Sequence, residues 1–221
     1  MTLKMIGRLA GAVALTMALA GCIDMTMDVK VKNESEAQGV MSTTVGAQFY
    51  PMIKANMKSD AGSDASKSDD FCSKDEGGVL VENADGSATC TVTKEGKFAD
   101  LVFDKGDEQI KFTSPGPGLV RVSFPTDEFQ KGLDAATTGG DESASSEDAD
   151  AKAATEQMKT AMIAYFAGHF LTIRIEGAEV TESNMTISDD KKSAEQKIPF
   201  TDIMSGTAKL PDELYAVVKV N

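Results

Sequence analysis

A chain of 221 residues with 41% hydrophobic content can bury one good core or two small ones, and is too apolar for wholesale disorder. Its 35 acidic side chains outnumber 22 basic ones, for a formal charge of −13, and no basic patch offsets them, which excludes recognition of nucleic-acid phosphates. One histidine and three cysteines leave little material for a transition-metal centre.

The chain opens with Lys4 and Arg8, then an uncharged run from Leu9 to Leu19, then small residues. That is the anatomy of a secretory signal, and it is too short to span a bilayer as a helix. Leu19-Ala20-Gly21-Cys22 resembles the bacterial lipobox. The resemblance implies that residues 1–21 are a signal peptide removed before Cys22, with lipid on the Cys22 sulfur and an acyl chain on its freed amine. Ile23 stands where that family's inner-membrane retention signal would put Asp, and Asp24 comes one place later. The implied address is therefore the outer membrane, facing the periplasm. In an oxidising compartment the two remaining cysteines, Cys72 and Cys90, 18 positions apart, most simply form one disulfide. Closing that loop contributes about 3 kcal/mol in the chain-entropy account. No CxxC spacing and no nearby histidine supports a redox or metal pair instead.

Ile23 to Val31 alternates, with Met25, Met27, Val29 and Val31 on one side and Thr26, Asp28, Lys30 and Lys32 on the other. This is the pattern of a half-buried strand. Asn33-Glu34-Ser35-Glu36 predicts its turn and Ala37 to Val45 a returning strand. The first strand starts beside Cys22, so no flexible tether separates the fold from the membrane. Over Gly46 to Lys58 the period changes: Phe49, Met52, Ile53, Asn56 and Met57 suit one face of a short helix, with Pro51 tolerable in its first turn. Ser59 to Asp70 is small, polar and acidic and predicts a solvated loop. Val79-Leu80-Val81 and Ser87 to Thr93 flank Asn83-Ala84-Asp85-Gly86, a hairpin whose second strand holds Cys90. Phe98 to Phe103 fits a helical turn or a strand. Ile110 to Ser114 and Leu119 to Phe124 predict strands around Pro115-Gly116-Pro117-Gly118, and Thr126 to Leu133 a brief helix capped by Thr126.

Asp134 to Asp150 contains no large apolar residue and can bury nothing, so it is an acidic flexible linker or insertion. It separates residues 22–133 from residues 151–221, which complete the same fold. Ala154, Met158, Ala161, Met162, Tyr165 and Phe166 form the apolar stripe of a helix over Ala151 to Gly168. Leu171, Ile173 and Ile175 alternate through Phe170 to Glu176, and Gly177 breaks the run. Glu179 to Ser188 follows, then a turn at Ser188 to Lys192 and an edge-like strand from Ala194 to Phe200 holding Pro199. Leu214 to Val220 is a closing strand tucked into the sheet. Hairpins in batches without βαβ alternation predict an α+β fold: antiparallel β-hairpins forming a sheet with two or three helices packed on it.

Few residues carry chemistry. His169 is the single histidine, so any Ser-His-Asp or Cys-His mechanism must pass through it, yet no G-x-S-x-G elbow accompanies it. A histidine at a helix-to-strand junction is more economically a structural one. Ser188 to Lys191 matches S-x-x-K without its companion motifs. Gly116-Pro117-Gly118 is not followed by a phosphate-binding helix. The acidic linker lacks the Asp/Asn and Gly spacing of a calcium loop. Met25, Met27 and, across the hairpin, Met41 could share one sheet face; thioethers there suit Cu(I) less well than a soft core or an adaptable apolar groove.

Cys22 followed by Asp28-Val29-Lys30-Val31 and a turn into a second strand resembles the LppM-like bacterial lipoproteins, as does Gly177-Ala178-Glu179-Val180 with Asn184 and a returning strand. The resemblance implies a small α+β envelope protein that is not an enzyme, has a ligand cavity, and inherits no catalytic residue. Together these readings predict a lipid-anchored binding or interaction module that holds an apolar ligand or an envelope protein. It would need no cofactor. The alternatives are a periplasmic hydrolase built on His169 and a purely structural lipoprotein.

Overall fold

The computed structural model of the chain describes residues 23–59, 71–74, 77–101, 110–126, 160, 163–205 and 207–220. Cys22, residues 1–21 and the acidic segment 134–150 lie outside them, as do most of the helices expected over 126–133 and 151–168.

Two hairpins build one half of a seven-stranded sheet. β1 (Ile23–Val31) and β2 (Glu36–Val45) pair from Ile23 opposite Val45 to Val31 opposite Ala37. Their turn is held by the Asn33 side-chain oxygen, which accepts from the amides of Ser35 and Glu36, both at 2.9 Å. Such self-capping is why Asn starts turns so readily. β3 (Gly78–Glu82) and β4 (Ala88–Lys97) close around Asp85, which accepts from the Ser87 amide and hydroxyl at 3.0 and 2.6 Å. Gly86 completes the turn at φ 88°, where glycine sits without strain. β4 then runs along β2 over its whole length.

The other half of the sheet comes from β7 (Phe170–Glu176), β10 (Ser193–Pro199) and the two-residue β9 (Thr186–Ile187), giving the order β3-β4-β2-β1-β7-β10-β9. The two halves join where β1 meets β7, and that pairing is parallel, Met25 beside Leu171 through Lys30 beside Glu176. A second sheet holds β5 (Lys111–Gly116), β6 (Leu119–Pro125), β11 (Glu213–Lys219) and β8 (Glu179–Ser183), in that order. Gly177 lies where the chain leaves one sheet for the other. A Cβ there would meet the Val218 Cβ at 2.6 Å, so only glycine permits this approach.

The α+β expectation, with helices packed on a single sheet of antiparallel hairpins, is overturned. The molecule is dominated by strands in two sheets. Its described helices are short: α1 (Tyr50–Ser59), a 3-10 turn at Phe98–Asp100 and α2 (Phe200–Met204). The apolar faces of β6 (Val120, Val122, Phe124) and β11 (Leu214, Ala216, Val218) cover Val29, Ile173, Ile175 and Ala194 of the larger sheet, the role expected of helices. Alternation shows that a strand buries one face; it does not say which sheet the strand joins. The closing strand is tucked into a sheet as expected, and a smaller correction concerns β10. β11 lies between β6 and β8, inside its sheet. β10 is flanked by β7 throughout and by β9 only at Ala194 and Glu195, and Phe200 starts α2 instead of ending the strand.

Candidate functional site

On the inner face of the larger sheet, register brings together the residues singled out from the sequence. Met27 lies directly across from Met41, and Met25 is two residues along β1. All three are half-buried. Met25 and Met27 pack at the margin of the main core, and Met41 packs against a separate cluster of Cys72, Cys90 and Val92. A third cluster gathers Val45, Tyr50 and Ala88, with Ile23, Phe49, Ile53 and Phe71 against it. The face is thus divided into three apolar clusters with methionines between them. Met185, by contrast, is 6% exposed within the main core, and Met52 is not inward as its helical position predicted but 58% exposed. Met57, Met158 and Met162 have no described side chains.

Cys72 and Cys90 form a disulfide with Cα atoms 5.5 Å apart. It pins the segment at Phe71–Cys72 to β4, next to Gly78, where a Cβ would come 2.9 Å from the Cys72 Sγ. α1 is fastened to the same region through Glu82, which accepts from the Tyr50 hydroxyl at 2.6 Å and from Lys54. That bond holds the Tyr50 proton and pushes its pKa up.

His169 stands at the start of β7. Its Nδ1 lies 2.9 Å from Asp24 Oδ2, and Asp24 Oδ1 accepts from the Phe170 amide at 3.0 Å. The carboxylate therefore ties the first residues of β1 to the first residues of β7. Among the described residues no hydroxyl or thiol is hydrogen-bonded to the ring. Ser188 and Lys191 fall in the turn before β10, where the Ser188 hydroxyl donates to Asp190 at 2.7 Å, and Gly118 ends the β5–β6 turn at φ 69°. Neither motif meets His169. No cluster of three His, Cys, Asp or Glu side chains is arranged to hold a metal among the described residues.

The smaller sheet carries a polar cleft that the sequence did not reveal. It has a volume of about 630 Å³ and is lined by Lys111, Pro125, Asn184, Pro211, Asp212, Glu213 and Tyr215. The Arg121 guanidinium lies 3.5 Å from the centre of the Tyr215 ring and pairs with Glu213, while the Tyr215 hydroxyl donates to Glu182 at 2.7 Å. The bond to Glu182 raises the Tyr215 pKa, and Arg121 opposes it. Asn184 is spent on the backbone, donating to Glu213 O and accepting from Tyr215 N, both at 2.8 Å. The polar groups largely satisfy one another, an arrangement that braces the strands. The available signal was the outward position of Arg121 between Val120 and Val122.

No family model and no curated protein matches the chain. Among solved structures it is similar to the folded domain of LppM from Mycobacterium tuberculosis, determined by NMR. The TM-score is 0.45 and the identity 9%, over 91% of this chain and 92% of that one. A likeness this slight carries no argument about what the chain does.

Proposed function

We propose that the protein is a lipid-anchored envelope module that binds an apolar ligand along the methionine strip of its larger sheet. The observation that supports this is the division of the inner face into three clusters, with Met25, Met27 and Met41 half-buried between them. A continuous core would bury these side chains fully; unbranched thioethers instead provide a surface that re-packs around guests of different shape. The lipobox-like Leu19-Ala20-Gly21-Cys22 supports the anchor and the periplasmic address.

Native mass spectrometry of residues 23–221 purified from a periplasm tests the reading. The expected result is a co-purified amphiphile whose occupancy falls in Met27→Glu and Met41→Glu variants that retain their fold. An empty protein that also fails to bind a fluorescent fatty acid saturably would overturn it. The Asp24–His169 pair is the one feature that favours a hydrolase. Under the binding reading, His169→Ala lowers the melting temperature and leaves ligand occupancy unchanged.

A further inference from the structure

The end of the larger sheet at which β1 begins is more apolar than a free surface requires. Ile23 packs with Phe49 and Ile53 against Val45, Tyr50 and Ala88. Phe49 meets Tyr165 edge-to-face with ring centres 6.0 Å apart. Beyond these rings Met52 and Tyr165 are 58% and 53% exposed. Once residues 1–21 are removed, the chain preceding this end is Cys22 alone, and consecutive Cα atoms are about 3.8 Å apart. A diacylglyceryl group on Cys22 would therefore hold Ile23 at the level of the lipid head groups, with no spacer to let the protein swing away. Nor can β1 peel off to make a spacer, because Asp24, two residues from the cysteine, is bound to the His169 ring and the Phe170 amide.

We infer that this end of the sheet is a membrane-seating surface, with Met52 and Tyr165 placed in the interface of the bilayer that holds the anchor. The inference rests on lipidation of Cys22. Tyrosine suits that depth, since its ring is apolar and its hydroxyl is wet. Methionine supplies a flexible apolar side chain that follows an uneven surface. The net charge of −13 is repelled by anionic head groups, so the seating depends on the apolar contacts and on the anchor. The opposite end, where Ile187 is 38% exposed beside Ala194, then faces the periplasm. Ala194 is in the same row as Ile175 and Val29, six residues of strand from Ile23, or about 20 Å.

The chain has no tryptophan, so single introduced ones report depth without background. The full-length acylated protein carrying Met52→Trp, Tyr165→Trp or Ile187→Trp would be placed in phosphatidylethanolamine–phosphatidylglycerol vesicles containing brominated lipid. The expected result is a blue shift for the first two, as for an aromatic residue at the membrane interface, with emission quenched by the bromolipid, and no response from the third. Acylated protein in which none of the three responds, or in which Ile187→Trp responds equally, would overturn the seating surface and leave the anchor intact. An unmodified Cys22 by mass spectrometry would overturn both. A blue shift present without vesicles and growing with protein concentration would assign the patch to a second copy of the chain and overturn the proposal.

Discussion

Divided by what its inner face packs against, the seven-stranded sheet has two halves, β1, β7 and β10 against β2, β4 and β3, and they are held by different means. In the half containing β1, β7 and β10, the inner face is covered by the second sheet, and Val29, Ile175 and Ala194 are fully buried. In the half containing β2, β4 and β3 the inner face is buried in smaller clusters, Val45 and Ala88 in one and Cys90 and Val92 in another, separate from the main core. This half is fastened by the Cys72–Cys90 bond and by α1 through Glu82, and its edge strand leaves Val79 and Val81 61% and 52% exposed. The first half is stabilised by apolar area removed from water in one large core; the second, with smaller clusters, adds a covalent link that limits the unfolded chain.

The contrast is broken most strongly at Ile175. Ile175→Ala should cost about 2–5 kcal/mol, the usual range for a buried large-to-small change, seen in urea denaturation as a lower midpoint at unchanged slope. A loss under about 1 kcal/mol would mean that the two sheets do not share a close-packed core. Next comes Cys72→Ser with Cys90→Ser, expected to cost about 3 kcal/mol and to act unevenly. Amide exchange should accelerate in β3 and β4 while the amides of β6 and β7 stay protected; uniform acceleration would show that both halves unfold as one.

The smallest effect is electrostatic and lies on the outer face of the well-covered half. Asp28 is the register partner of Arg174, and its Oδ1 is buried without a hydrogen bond. Arg174 Nε is 3.2 Å from Glu176 Oε1, close enough for an ion pair but without hydrogen-bond geometry. Burial pushes the Asp28 pKa up; Arg174 pulls it down, and Glu176 and Glu195 add to the rise. The native state therefore keeps this proton to a higher pH than the unfolded chain does, so stability falls as pH rises from the ordinary carboxylate value through the raised one. Asp28→Asn should remove that loss, raising the melting temperature at neutral pH and leaving it unchanged in acid, where both states are protonated. A lower melting temperature at neutral pH would show that attraction to Arg174 outweighs burial.

Local features were legible in the sequence because local chemistry decides them. The Asn33 and Asp85 turns, the alternation of Ile23 to Val31 and the pairing of the two cysteines left after Cys22 all follow from residues near one another or from a count. What the sequence concealed is long-range. Val120, Val122 and Phe124 announce a buried face, but nothing in them names Val29 and Ile175 as what they cover. Met52 fits the same helical stripe as Ile53, yet the 10 residues of α1 are too few for the period to separate an inward position from an outward one. The Arg121–Tyr215–Glu182 network joins three strands and has no motif. His169 was visible as a lone residue, but Asp24, its partner, lies 145 positions away.

That separation governs how the molecule comes to be made. β1 is made before β7 and can close a hairpin with β2 as soon as both are synthesised. Its other side waits for β7, which follows well over a hundred residues later, and closing so long a loop makes folding slow. Until then the hairpin travels with an unpaired strand edge, a template for wrong partners. The carboxy-terminal third therefore serves as the closure of the fold, and truncations that spare every residue of β1 and β2 should still leave those strands prone to aggregate.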